Sequence, residues 1–326
     1  MVEKNRQNKT IAPFGGDDLF SPTAGKAAGL AFSLSSLFYL ALSAIFLLVL
    51  SSYGITDVDT VSDKDWYLYI SFLLPQAVLF LAIAFFFLWT RTPFKQEVKE
   101  QKCHWKYFLI AIVLQFGLLA LGELNNYFGD FLAWLGYSEE AAEINVPSLN
   151  GFGFVGVLLT VAFLPAVFEE IFFRGVLLKG LRSFGTVGAV LLCGAFFALY
   201  HQNPVQTIYQ FLCGAAFALV VIRSGSLLPT MLSHFLNNAL LILLEKFGVG
   251  AIPSPWRWIL LGVEILVLIG SLVYLIFFDK TKKPREELSK KGKKSERIFF
   301  FICAAFGILL CSVVWISMLV SGFKGA

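Results

Sequence analysis

Two adjacent glutamates, Glu169 and Glu170, stand at the inner end of an apolar run that begins near Gly153, with Arg174 one helical turn further on. A charge at the centre of a bilayer costs at least about 2.5 kcal/mol on the most lenient insertion scale, so charge inside an apolar segment marks function or a paired site. Glu170 and Arg174 are four apart, which stacks them on one helical face with the acid N-terminal, the favourable order for an ion pair. Glu169, about 100° round the helix, is left as the carboxylate without a local partner. A carboxylate buried among apolar neighbours and brought beside an imidazole is tuned as a general base.

The chain has three histidines. His104 falls in a basic juxtamembrane loop and reads as a surface residue, whereas His201 and His234 lie on apolar segments. His201 ends the run Phe196-Phe197-Ala-Leu-Tyr200-His201. His234 and Asn238 are four apart, so both project from one helical face into one space, where two neutral donors suit a developing oxyanion. A carboxylate, an imidazole to share its proton and a His/Asn pair supply what water-mediated peptide hydrolysis requires.

These residues must be carried by membrane helices. Hydrophobic residues make up 57% of the 326 and charged residues only 15%, against about 25% charged in a soluble domain. Runs long enough to span about 30 Å of hydrocarbon occur near 27–52, 66–90, 107–122, 153–178, 185–202, 205–223, 227–244, 258–278 and 298–320. They lack the alternation of barrel strands, so the expected fold is all-α, a polytopic transmembrane helical bundle of about eight or nine spans. Residues 1–24 read as a flexible cytoplasmic tail without a cleaved-signal pattern, and 25–322 as a single transmembrane domain. Lys and Arg gather before span one, in 91–106, in 174–182, at Arg223 and in 280–297, and only Lys64, Lys246, Arg257 and Lys324 fall on the other side. That bias places the N-terminus in the cytoplasm. The expected location is the plasma membrane of a bacterium.

The Lys-rich stretch Lys280 to Arg297 reads as a topology-setting loop against anionic lipid headgroups, not as a nucleic-acid site. Residues 123–150, with Tyr127, Phe128, Phe131 and Trp134 among acids, suit either an amphipathic helix on the membrane surface or a segment packed on the bundle. The cysteines, four of them inside apolar runs, read as packing residues. Gly194, Gly214, Ala215 and Ala218 read as sites of close helix approach, Asn237 as an interhelical hydrogen bond, and Glu264 as a weaker functional lead.

Glu169-Glu170-Ile-Phe-Phe-Arg174 matches EExxxR, Phe197-Ala-Leu-Tyr-His201 matches FxxxH, and His234-Phe-Leu-Asn-Asn238 matches HxxxN. In these three motifs the chain resembles the CPBP intramembrane proteases, relatives of the CAAX prenyl endopeptidase, over roughly residues 150–245. The resemblance implies that Glu169 and His201 activate the attacking water, that His234 and Asn238 stabilise the tetrahedral oxyanion, and that Glu170 and Arg174 brace the site. It implies a peptide or membrane-anchored protein as substrate. The family has been described as metal-dependent, and two histidines plus a glutamate match the ligand count of some catalytic zinc sites. No HExxH is present, so the expectation is glutamate-activated water without an obligatory cofactor, metal dependence being left open. The alternative function is a nonhydrolytic peptide-binding or immunity-type membrane protein, and a transporter is a third.

Counting rise along ideal helices puts Glu169 and His234 in the cytoplasmic half or near the midplane and His201 near the outer end of span five. The reaction requires them to meet. Either span five starts deeper, with 174–186 interfacial, or His201-Gln-Asn-Pro204 dips into the bundle.

Overall fold

The computed structural model describes residues 25–91, 103–138, 145–248, 253–280 and 292–324. Among them every regular element is helical: α1 (Gly25–Ser52), α2 (Asp65–Thr90), α3 (Lys106–Trp134), α4 (residues 152–180), α5 (Gly185–His201), α6 (Thr207–Ser224), α7 (Leu228–Lys246), α8 (Trp256–Phe278) and α9 (Lys294–Lys324). Short 3-10 turns occupy Val58–Thr60 and Leu181–Phe184. The predicted cytoplasmic tail at 1–24 lies outside the described residues, as do 281–291 of the Lys-rich loop and 139–144 of the acidic segment.

Seven helices among the described residues are long and apolar enough to cross a membrane, one of them the 50-residue run Phe152–His201. That run reverses at Gly185, whose φ of 74° needs a residue without Cβ, so it contains two of the predicted spans. The amphipathic α7 carries Ser233, His234, Asn237 and Asn238 and is too polar to count by composition alone. The nine predicted runs therefore all form helices, and the seven-helix count differs for these two reasons.

α1 lies along α9, α5 along α6, and α3 along both α8 and α7. Aromatic side chains fill the centre, among them Phe32, Phe86, Phe172, Phe173, Phe196, Phe197 and Phe300. Leu48, Leu88, Leu266, Phe277 and Leu309 are exposed. In lipid such surface is not driven inward, and helices associate through close packing and interhelical hydrogen bonds. Gly194 and Gly214 provide that closeness between α5 and α6: a Cβ on Gly194 would stand 2.6 Å from the Phe211 carbonyl oxygen.

Two predicted features change. The third span runs on to Trp134 through a change of path at Leu119, so the aromatic part of 123–150 continues a spanning helix, and Asn145 to Leu149 is irregular chain. Residues 174–180, taken as cytoplasmic loop, are helical and interior: Arg174 and Lys179 are fully buried. Arg174 thus anchors nothing at a surface.

The extension of α4 also removes the difficulty over His201. Glu169 lies sixteen residues before the turn at Gly185 and His201 sixteen after it. At about 1.5 Å per residue both arms of the hairpin are about 24 Å long, and the two side chains come level. The predicted offset arose from ending span four near 178 and turning the chain too early.

Candidate active site

Pro165 and two π-helical stretches, Leu158–Phe163 and Glu170–Leu177, interrupt the regular winding of α4. Single wide turns of this kind recur at functional sites because they re-aim side chains within a continuous helix. Here Glu169 closes an α-helical stretch and Glu170 opens the π-helical one. Glu169 faces a cavity, while Glu170 is fully buried in the protein.

Glu170 Oε1 accepts from the Arg174 guanidinium at 2.9 Å. Arg174 also donates to the Gly214 carbonyl at 3.3 Å and lies over the Phe197 ring, 4.3 Å from its centroid. A charged pair removed from water this completely gains from each further hydrogen bond it makes, and the Gly214 carbonyl of α6 supplies one here. The same Glu170 oxygen lies 3.1 Å from His234 Nδ1. Glu170 is therefore shared between Arg174 and His234, a contact that motif spacing does not reveal.

His201 Nδ1 is 2.7 Å from the Phe197 carbonyl oxygen. A carbonyl oxygen only accepts, so His201 carries its proton on Nδ1 and, when neutral, presents a lone pair at Nε2. The carboxylate of Glu170 assigns the Nδ1 proton of His234 in the same way. Both Nε2 atoms face Glu169: Oε2 is 4.0 Å from that of His201 and 3.9 Å from that of His234. Two hydrogen bonds of about 2.8 Å meet across such a gap at about 90°, a separation one water oxygen can bridge. Glu169 Oε1 accepts from Gln76 Nε2 of α2 at 3.5 Å.

Asn238 Nδ2 donates to the Val161 carbonyl at 2.9 Å. This bond ties α7 to α4. Asn238 Oδ1 accepts from Asn237 Nδ2 at 3.1 Å, and Asn238 lines the cavity. His234 and Asn238 were expected as two neutral donors. The placement alters this for His234: with a proton fixed on Nδ1 by Glu170, Nε2 donates only when the ring is charged.

The cavity, about 840 Å³, extends from Glu169, His201 and His234 past Asn237 and Asn238 to Glu245 and Asn145. Tyr39 of α1 and Phe72, Pro75 and Gln76 of α2 close another side. It thus reaches the ends of α5 and α7 that the Lys/Arg distribution assigns to the outer face. Sequence reasoning missed Gln76, Tyr209 and Gln115 around the site. Lone amides within otherwise apolar spans were the available signal for Gln76 and Gln115. Glu264, a weaker lead, is buried on α8 away from the cavity lining.

Two histidines and a glutamate are also the donor set of some zinc sites. His201 Nε2, His234 Nε2 and Glu169 Oε2 are the right donor types, but ligands at about 2.0–2.1 Å in a tetrahedron stand about 3.3 Å apart. The separations of 3.9 and 4.0 Å are wider, and among the described residues no group of three His, Cys, Asp or Glu is placed to hold a metal. As arranged, the three side chains do not fit the ion.

Residues 151–240 match the family model described as type II CAAX prenyl endopeptidase Rce1-like. The match coincides with the segment carrying the three motifs and bears out the resemblance to the CPBP and CAAX proteases. At the level of the family it indicates a CAAX-type intramembrane protease, a hydrolase. Comparison with curated proteins and with solved structures gave no match.

Proposed function

We propose that this integral membrane protein is an endopeptidase that hydrolyses a peptide or membrane-anchored protein admitted to the cavity, with Glu169 as general base. Water held between Glu169 Oε2 and His201 Nε2 gives one proton to the carboxylate as its oxygen attacks the scissile carbonyl. The tetrahedral oxyanion is held by Asn238 Nδ2–H, and by His234 Nε2–H when that ring is charged. Glu169 then returns its proton to the departing amine, and the C–N bond breaks. Arg174 neutralises Glu170, which leaves Glu169 as the carboxylate available for proton transfer.

The observation that carries this reading is the convergence of Glu169, His201 and His234, from three helices, within 4.0 Å at a cavity inside a membrane bundle. Glu169→Gln preserves shape and removes the base, so cleavage should fall by about 10²–10⁴-fold. The test compares membrane-derived peptides from cells carrying the wild-type or variant protein. Peptides lost in the variant identify the substrate, and equal cleavage by the two proteins refutes the assignment.

A further inference from the structure

Asn237 fills an unspecified position of the HxxxN motif and, as the neighbour of Asn238 on a helix, is turned about 100° from it. Its side chain nevertheless sits at the centre of a chain of hydrogen bonds. Ser233 Oγ donates to Gln115 Oε1 at 3.0 Å, Gln115 Nε2 donates to Asn237 Oδ1 at 2.7 Å, and the Tyr209 hydroxyl donates to the same Oδ1 at 3.0 Å. Asn237 Nδ2 donates to Asn238 Oδ1 at 3.1 Å, and Asn238 Nδ2 donates to the Val161 carbonyl at 2.9 Å.

The direction of every bond follows from the far end. Val161 O can only accept, so Asn238 must turn its nitrogen toward it and its oxygen toward Asn237. Asn237 must answer with its own nitrogen, which leaves Oδ1 to accept from Gln115 and Tyr209. One hydrogen of Asn238 Nδ2 is used on Val161. The second has no competing acceptor in this set, and Asn238 lines the cavity. Without the Asn237 N–H, a single bond would hold the Asn238 amide, and the group could rotate or turn over to present an oxygen, a repulsive partner for an oxyanion.

We propose that Asn237, held by Gln115 of α3 and Tyr209 of α6, is a positioning residue that fixes the Asn238 amide with its N–H toward the reacting carbonyl, an inference that rests on the hydrolytic reading above. It makes α3, outside the family-matched segment, part of the device that orients the site.

Asn237→Asp keeps the size of the side chain and its acceptor for Gln115 and Tyr209 but cannot donate to Asn238 Oδ1. Asn238 then turns its nitrogen toward the introduced carboxylate. The full-length protein in detergent is assayed with a pool of internally quenched peptides, beside wild type, Glu169→Gln and Tyr209→Phe. For Asn237→Asp the expected result is a fall in kcat of about 10²–10³-fold, the size seen on losing one oxyanion donor, with KM within twofold. Tyr209→Phe removes one of the two donors to Asn237 and should lower kcat by a smaller factor of about three to ten, again without a change in KM or thermal midpoint. A wild-type kcat in folded Asn237→Asp overturns the positioning role. Should that variant not fold, a wild-type kcat in Tyr209→Phe overturns it. If wild type and Glu169→Gln are alike in the assay, the protease reading itself fails and the positioning role falls with it.

Discussion

The buried pair of Glu170 and Arg174 offers the sharpest quantitative test of how the site is held. Both side chains are fully buried, 2.9 Å apart, and Arg174 also touches Gly214 O and the Phe197 ring. Arg174→Met leaves the Glu170 carboxylate buried with His234 and Thr230 beside it but no fixed opposite charge. Breaking a buried pair from one side costs about 3–5 kcal/mol, more than a hundredfold in the folded-to-unfolded ratio. Glu170→Gln strands the guanidinium and should cost a similar amount. The double variant strands neither charge, so its loss should be far smaller than the sum of the two, with a coupling energy of at least about 3 kcal/mol, the upper end for residues in contact. Unfolding by SDS in mixed micelles, measured for all four proteins, gives the cycle directly. Cleavage should separate from stability in the double variant, because His234 still lacks the carboxylate that holds its Nδ1 proton. Single variants that each lose less than about 1 kcal/mol and add without coupling would refute the argument that these charges hold each other in the protein.

Two further predictions concern packing and pH. Gly194→Val would drive a side chain against the Phe211 carbonyl oxygen and the Ala215 nitrogen, at 2.6 and 3.0 Å. Since both are backbone atoms, α5 and α6 must part, lowering stability by about 2 kcal/mol or more and displacing His201. Gly122→Val, where a Cβ meets nothing within 4 Å, should stay within about 0.5 kcal/mol in the same SDS titration. Burial pushes the Cys103 thiol, just before α3, up to about 11. Its reactive thiolate is therefore scarce at pH 8, and alkylation of the folded protein should be roughly a hundredfold slower than that of an ordinary thiol. The rate should rise about tenfold per pH unit until the pH nears 11, which mass spectrometry of the alkylated peptide measures, and rapid labelling at pH 7 would show the thiol to be exposed.

The matched segment holds every candidate catalytic side chain, but it does not build the cavity alone. Tyr39 and Gln76 approach from α1 and α2, and Gln115 reaches Asn237 from α3. Helices without any motif thus decide the shape of the cavity and the orientation of the amide beside it. In a bilayer this division follows from the physics of association: interhelical hydrogen bonds and close packing, not burial of apolar surface, choose which helices meet.

The sequence by itself determined that the chain is helical and membrane-spanning, because uninterrupted apolar runs must satisfy their own backbone groups in lipid. It also determined the Glu170–Arg174 pair, since four-residue spacing fixes neighbours on one helix wherever that helix goes. The motifs placed Glu169, His201, His234 and Asn238 together as candidates, but their spacing could not say how they meet. His201 is level with Glu169 only because α4 continues through Arg174 and Lys179 into the protein and turns at Gly185, a length that Lys and Arg disguised as a cytoplasmic loop. The contact of His234 with Glu170, the bond from Asn238 to the Val161 carbonyl, and the reach of Gln76 and Gln115 into the site were likewise decided by the fold. Each is a contact between different helices, set by their relative depth and rotation, and no periodicity along a single helix encodes those two quantities.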